Sequence, residues 1–284
     1  MERKHDIGSE LTRGLKELHL PTMRQCYEEV ARQAEQEALS HERFFLELVR
    51  RELEVRRAKR IERYLRESKL PLEKNIEAFD MNRLPRKVIQ QTRTLLEGHF
   101  LDRTECVLAF GNPGTGKTHL LCAIGQHLIR DRERRVLFAS ASLLVQELLI
   151  AKRDLKLSRL FKRLSKFEAI LIDDIGYVQQ NREEMELLFT LLGERYEKGS
   201  VMITSNLPFS KWERIFKDPM TTAAAIDRLI HHSVIIELNI PSYRLEHHRK
   251  DRGGQKGTSR SKGTKNSTLA RKKEGKKKST KLRA

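Results

Sequence analysis

The sequence predicts an α/β fold: a five-stranded parallel sheet covered by helices on both faces, preceded by a small all-helical domain and followed by a basic, disordered tail. Three observations carry that prediction. Short apolar runs alternate with amphipathic stretches from Arg86 to Pro241, the pattern of a parallel sheet whose strands are buried on both sides. The residues before Ser68 instead place apolar side chains at helical spacing. From Arg249 onward Gly, Ser, Thr, Lys and Arg dominate, and such a segment cannot bury enough apolar surface to offset the entropy of ordering itself.

In the amino-terminal region Leu11, Leu15 and Leu18 are spaced by four and three, and Met23, Tyr27, Val30 and Ala34 follow Pro21. Two short helices with Pro21 between them are therefore expected. A third should run from Ser40, an N-cap type, to about Ser68, with Pro71 closing it. Between Arg50 and Lys69 this helix carries nine basic residues against four glutamates. Arg56, Arg60 and Arg63 fall on one face, with Ala58, Ile61 and Leu65 opposite. Two readings of that face stand: a solvated surface laced with Glu–Arg pairs, or a surface turned toward DNA.

The strand candidates are Cys106–Phe110, Val136–Ala139, Ala169–Ile172, Val201–Thr204 and Val234–Leu238. Helices are expected over Lys117–Arg130, Ser142–Arg153 with a further piece near Leu160, Arg182–Glu197, and a broken pair across Phe209–Ile230. The domain division that follows is 1–75 helical, 76–245 α/β and 246–284 tail.

The formal charge of +18 is unevenly placed. Residues Arg249–Ala284 hold fifteen Lys or Arg against Asp251 and Glu274, a net of +13, so the other 248 residues carry only +5. Such a balance suits a polyanionic partner, nucleic acid rather than an anionic membrane, because the tail interleaves no Trp, Phe or Tyr. Cys26, Cys106 and Cys122 form no Cys-x-x-Cys pair, which argues against a disulfide scaffold or zinc site and for a reduced, cytoplasmic chain. No apolar leader follows the charged start and no run is long enough to span a bilayer, so secretion and membrane insertion are not expected.

The strongest chemical signal is Gly111-Asn112-Pro113-Gly114-Thr115-Gly116-Lys117-Thr118, placed directly after a strand and opening a helix. The glycines let backbone N–H groups wrap phosphate oxygens, and the helix adds its positive end. Lys117 would reach the β- and γ-phosphates and Thr118 would ligate Mg²⁺. Downstream, Ala169-Ile170-Leu171-Ile172 ends in Asp173-Asp174, so a buried strand delivers two acids beside the loop. Asp173 would hold Mg²⁺ and Asp174 would orient or deprotonate the attacking water. A third strand ends in Ser205-Asn206, where Asn206 either contacts the γ-phosphate or attacking water or simply serves a turn. Arg228, at a helix end before the last strand, suits an arginine finger reaching a neighbouring subunit. His231-His232 and His247-His248 are adjacent pairs without a third ligand, so no metal is assigned to them, and Trp212 is assigned to packing.

These motifs in this order resemble the AAA+ ATPases. Lys117-Thr118-His119-Leu120, Leu171-Ile172-Asp173-Asp174-Ile175-Gly176-Tyr177, Thr204-Ser205-Asn206-Leu207-Pro208-Phe209 and Ala225-Ile226-Asp227-Arg228-Leu229-Ile230-His231-His232 resemble, within that class, the IstB family of transposition helper ATPases, relatives of DnaC-type helicase loaders. Leu18-His19-Leu20-Pro21-Thr22-Met23, the Arg-rich helix and the stretch from Leu70-Pro71 to Phe79-Asp80 resemble the helical region that precedes the ATPase domain in that family. The resemblance covers residues 10 to about 245 and not the tail.

It implies an AAA+ P-loop domain in a protein that uses ATP to assemble on duplex DNA and helps its cognate transposase join an insertion element to that target. Carried over by position, Gly111 to Gly116 form the phosphate cradle, Lys117 and Thr118 bind ATP and Mg²⁺, and Asp173 and Asp174 form the second acidic motif. Asn206 is the sensor and Arg228 the finger, which implies a homo-oligomer. Arg244 resembles the second sensor Arg of loader ATPases, although no helical lid follows it. Asp174 stands where the broader class has Glu, a difference that IstB-like sequences share, and is one methylene shorter. A replicative helicase loader is the alternative, disfavoured by the Arg-rich helix, and a DNA coat that binds ATP without turnover is a third reading. A small-molecule P-loop kinase is disfavoured by Ser205-Asn206 and Arg228.

Overall fold

The computed structural model describes residues 2–176, 181–212, 219–231 and 233–243, and residues 1–243 form one compact unit. Three helices open the chain: α1 (Glu2–Glu17), α2 (Pro21–Gln36) and α3 (His41–Ser68). Pro21 occupies the first position of α2, where its missing N–H costs nothing. Ser40 caps α3 by accepting from the Arg43 amide, and Lys69 ends it with φ 56°. A 3₁₀ turn (Met81–Arg83), α4 (Arg86–Glu97) and α5 (His99–Asp102) then lead into the sheet.

The rest alternates as the apolar pattern requires: β1 (Cys106–Gly111), α6 (Lys117–Arg132), β2 (Val136–Ser140), α7 (Ala141–Arg153), α8 (Leu157–Leu164), β3 (Ala169–Ile175), α9 (Arg182–Arg195), β4 (Ser200–Ser205), a 3₁₀ turn (Phe209–Lys211), α10 (Pro219–Ile230) and β5 (Ser233–Leu238). All five strands are parallel in the order β2-β3-β4-β1-β5. The expected α/β class, with its parallel sheet sandwiched by helices, is what the structure shows.

Both sheet faces are buried. Leu108, Ile170, Ile172, Val201 and Ile203 join residues of α7 to α10 in one core, while Val107, Ala109, Leu171, Met202 and Leu238 join α4 to α6 in the other. Trp212 is fully buried in the first core and donates Nε1–H to Leu207 O, a packing role as expected. A third, small core of Met23, Val30 and Leu48 holds α2 against α3. Helix α3 is a beam about 42 Å long: its first half belongs to that small core, and Ile61, Tyr64 and Leu65 near its end pack on the sheet's second core.

The Arg-rich face of α3 is largely engaged within the molecule. Arg56 donates to Glu52 and to the His19 carbonyl, Arg57 and Arg60 pair with Glu133 before β2, and Arg63 lies over the Tyr64 ring. Among the described residues no helix is long and apolar enough to cross a membrane.

Candidate nucleotide site

The loop from Gly111 to Gly116 joins β1 to α6 at the carboxyl edge of the sheet. Glycine is required here by geometry. A Cβ on Gly111 (φ +151°) would lie 2.5 Å from the Leu238 carbonyl oxygen, so β1 and β5 can approach only without it. Gly116 has φ +95° and is capped by the Phe79 ring, 3.1 Å from where a Cβ would stand. Within the loop Thr115 Oγ1 donates to Asn112 O at 2.9 Å. The Tyr243 amide donates to Gly114 O at 2.9 Å and so ties the chain after β5 to the loop's crest.

Helix α6 starts at Lys117 with no side-chain cap, leaving the amides of its first turn for an anion. Lys117 is buried, and its Nζ donates to the carbonyls of Gly111 at 2.9 Å and Asn112 at 3.0 Å. Its charge is thereby concentrated at the concave side of the loop. His119 packs edge-on against Phe79, ring centroids 5.1 Å apart, and its Nε2 contacts Asn75 O at 2.9 Å. Gln126 holds Pro71 O and Lys74 O, so the segment after α3 is stitched along α6. Burial pushes the Cys122 thiol up to about 12, which leaves it a neutral packing group beneath the loop.

The acidic strand meets this helix directly. Thr118 donates its hydroxyl to Asp173 Oδ1 at 2.8 Å, and from the other side Thr204 Oγ1 donates to the same oxygen at 2.6 Å. Asp173 is the last residue of β3 paired with β2, opposite Ser140. Ile172 pairs with Ile203 but Ile175 pairs with Ser205, so β3 carries one extra residue. The consequence falls on Asp174, which has φ 59° and an exposed side chain. Its amide donates to the side-chain oxygen of Thr204, Oγ1, at 2.8 Å. Ser205 Oγ completes the repair by donating to Ile175 O and accepting from the Leu207 amide.

Asn206 follows β4, and its Oδ1 is buried without a hydrogen-bond partner among the described residues. An orphaned acceptor beside a phosphate loop fits a group waiting for a donor such as a water. The donor set itself, two hydroxyls and a carboxylate, is the hard-oxygen chemistry that suits Mg²⁺.

The structure thus brings together Gly111 to Thr118 and Asp173, with Asp174 and Asn206 at the ends of the neighbouring strands. Arg228 lies on α10, and its side chain falls outside the described residues, as do Arg244, Tyr177, His232 and residues 244–284. Sequence reasoning quoted Thr204 and Phe79 within family-like stretches but gave neither a role, and it did not reach the Tyr243 amide. Each reaches the loop or acids from a distant segment, and only the Thr-Ser-Asn strand end held a local hint.

Residues 13–251 match the family described as IstB-like ATP binding protein. A Sinorhizobium fredii protein named as an insertion-sequence ATP-binding protein is 40% identical over 247 residues, covering 86% of this chain and 83% of that one. The corresponding IS21 protein of Pseudomonas aeruginosa is 37% identical over 226 residues, covering 78% and 84%. Among solved structures, DnaI matches with a TM-score of 0.51 at 19% identity, covering 60% of this chain and 95% of that one. AMPPCP-bound DnaA from Aquifex aeolicus matches with 0.52 at 18%, covering 66% and 56%. These two share the fold. With the phosphate loop, the paired acids and the preceding helices all in place, the chain belongs to the family of IstB-like ATP binding proteins.

Proposed function

We propose that this protein is an ATP-dependent, largely sequence-nonspecific DNA-binding helper of an insertion-sequence transposase, which assembles as a homo-oligomer on duplex target DNA and stimulates transposition through a cycle of ATP binding and hydrolysis. The observation that carries the reading is the Thr118–Asp173 contact of 2.8 Å, which joins the phosphate loop to the acidic strand as an ATPase requires. It is supported by relatives named as insertion-sequence ATP-binding proteins.

Thr118 and Asp173 would hold Mg²⁺, which when bound neutralises charge on the β- and γ-phosphates. Lys117 and the loop amides bind and orient the phosphates. Asp174 at the bulge faces the position from which water attacks, and Asn206 orients that water. Arg228 acts across a subunit boundary, and Arg244 contacts nucleotide. The helical region 1–75, the ATPase region 76–245 and the tail 246–284 divide the labour, with the tail adding non-specific attraction to DNA in a cytoplasmic protein.

Phosphate release measured with and without duplex DNA tests the reading, and a chain that binds ATP but never releases phosphate would be a coat instead. Asp174→Asn is expected to trap an ATP-loaded, DNA-bound assembly. Arg228→Ala should keep nucleotide binding and lose turnover. Truncation after Glu246 should make the salt slope of DNA binding shallower by about 0.9 for each DNA phosphate that the tail neutralises in the full chain.

A further inference from the structure

The residue that shapes the acidic end of β3 is on β4. We propose that Thr204 is a positioning residue for both carboxylates, setting Asp173 for the divalent cation and fixing the bulge that turns Asp174 outward. The inference rests on the reading of this edge as an ATP·Mg²⁺ site and adds to it a residue that lies within a family-like stretch but was assigned no role above.

A hydroxyl offers one donor and two acceptor lone pairs, and Thr204 uses both functions here. Its proton goes to Asp173 Oδ1 at 2.6 Å, and its oxygen takes the Asp174 amide at 2.8 Å. Thr204 is fully buried, so water offers no substitute for either bond. The amide it accepts belongs to a residue with φ 59°, a left-handed conformation that is strained for a residue other than glycine. The extra residue of β3 shifts the register with β4 at that point, and it is there that Thr204 Oγ1 accepts the amide. Asp173 Oδ1 is further held by Thr118, so one carboxylate oxygen is fixed between two hydroxyls from different elements. Removing the Thr204 hydroxyl loosens the carboxylate and at the same time deprives the Asp174 amide of its acceptor. Val is the discriminating replacement, since it keeps the branched shape and loses only the hydroxyl.

The experiment uses the full chain as wild type, Thr204→Val and Thr204→Ser. A fluorescent ATP analogue is titrated first without metal and then with increasing Mg²⁺, and amide exchange is followed at residues 173–176. Thr204→Val is expected to bind the metal-free analogue within about twofold of wild type but to need about 10-fold more Mg²⁺ for its half-maximal response. Protection at Asp174 should fall in the same variant. Thr204→Ser, which retains the hydroxyl, should stay within about threefold of wild type in Mg²⁺ demand. An unchanged Mg²⁺ midpoint in Thr204→Val overturns the proposal whatever the exchange shows. Should the Val variant not fold, Thr204→Ser against Thr204→Ala isolates the same hydroxyl. Failure of the wild type to release phosphate would sink the hydrolysis reading and leave this result standing, because neither readout depends on turnover.

Discussion

At the amino ends of β3 and β4 a buried arginine meets only backbone carbonyls, whereas at their carboxyl ends two carboxylates meet hydroxyls. Arg195, at the end of α9, donates Nη1 to Phe167 O at 2.8 Å and Leu164 O at 3.4 Å, and Nη2 to Glu168 O at 2.9 Å and Ser200 O at 3.0 Å. No carboxylate pairs with it among the described residues, and burial draws the guanidinium down to about 10, still charged at neutral pH. The clamp fastens strand starts with groups that have fixed positions and do not titrate. The opposite edge is made of groups that can exchange partners: Lys117 on loop carbonyls, Thr118 and Thr204 on Asp173, and Asp174 in a strained conformation. Strain at one end of a strand persists only where its surroundings hold it, so the difference separates a floor that sets stability from an edge that sets binding.

Substitutions at the two ends should therefore fail in opposite ways. Lys117→Ala removes the buried cation at the start of α6 that is proposed to meet the phosphates, and ATP affinity should drop by about three orders of magnitude, roughly 4 kcal/mol. Unfolding in urea should change little, because the Asn112 carbonyl lies on the loop and the Gly111 carbonyl belongs to the last residue of β1, at the very edge of the sheet. A Lys117→Ala protein with normal ATP affinity would remove the basis for calling this edge the binding end.

Arg195→Met is the mirror experiment. Four carbonyls lose the guanidinium in a buried setting, although Leu164 O keeps the Phe167 amide and Glu168 O the Ser200 amide, and the stability loss should be about 3 kcal/mol by urea midpoint. ATP affinity of the folded fraction should stay within about twofold, less than 0.5 kcal/mol. A large loss of affinity in that variant would show that floor and edge are one cooperative unit. Gly199 belongs to the same clamp: a Cβ there would lie 2.3 Å from Arg195 Nη2, so the glycine makes room for the guanidinium.

What the sequence made legible follows the same division between local and remote causes. Strands buried on both faces must be apolar throughout, so all five showed as apolar runs, and the phosphate loop is a contiguous motif. Ser40 signalled the start of α3 because capping is a one-turn effect. Helix α4 did not stand out as an element. Its buried stripe runs Val88, Thr92, Leu95, and the central Thr interrupts the apolar period while satisfying its own hydroxyl on Val88 O at 2.8 Å. The end of β3 lies at Ile175 rather than Ile172, because the bulge that extends it depends on Thr204, 31 residues from Asp173. Arg195 reads as an ordinary solvated cation at a helix end, and nothing nearby in sequence marks its carbonyl partners. Arg56 is a partial case: its pair with Glu52 is one helical turn away and legible, whereas the His19 carbonyl claims it only once the chain before α2 packs on α3.

That last pair provides the smallest and sharpest comparison with the Arg195 clamp, because its acceptor titrates. Glu52 is buried and accepts the amides of Thr22 at 2.8 Å and Met23 at 3.0 Å, capping α2 from another helix, while its other oxygen accepts Arg56 at 2.7 Å. Burial works against its charge, but the hydrogen bonds from Arg56, Met23 and Thr22 outweigh it and hold the carboxyl below its usual 4.5. A carboxylate with a lowered folded pKa contributes stability that is complete above its unfolded value and is lost as pH falls through the folded one. Glu52→Gln keeps an acceptor for the amides and loses the charge-assisted bond, so at pH 7 it should cost about 1 kcal/mol. The gap between wild type and Glu52→Gln should narrow as pH drops below about 4.5 and close once the wild-type carboxyl is protonated. The gap produced by Arg195→Met should stay flat over the same range, since neither the guanidinium nor its carbonyl acceptors titrate there. Urea midpoints for both variants across that acid range make the measurement, and a Glu52→Gln gap that did not move with pH would mean the two clamps work by the same neutral hydrogen bonding.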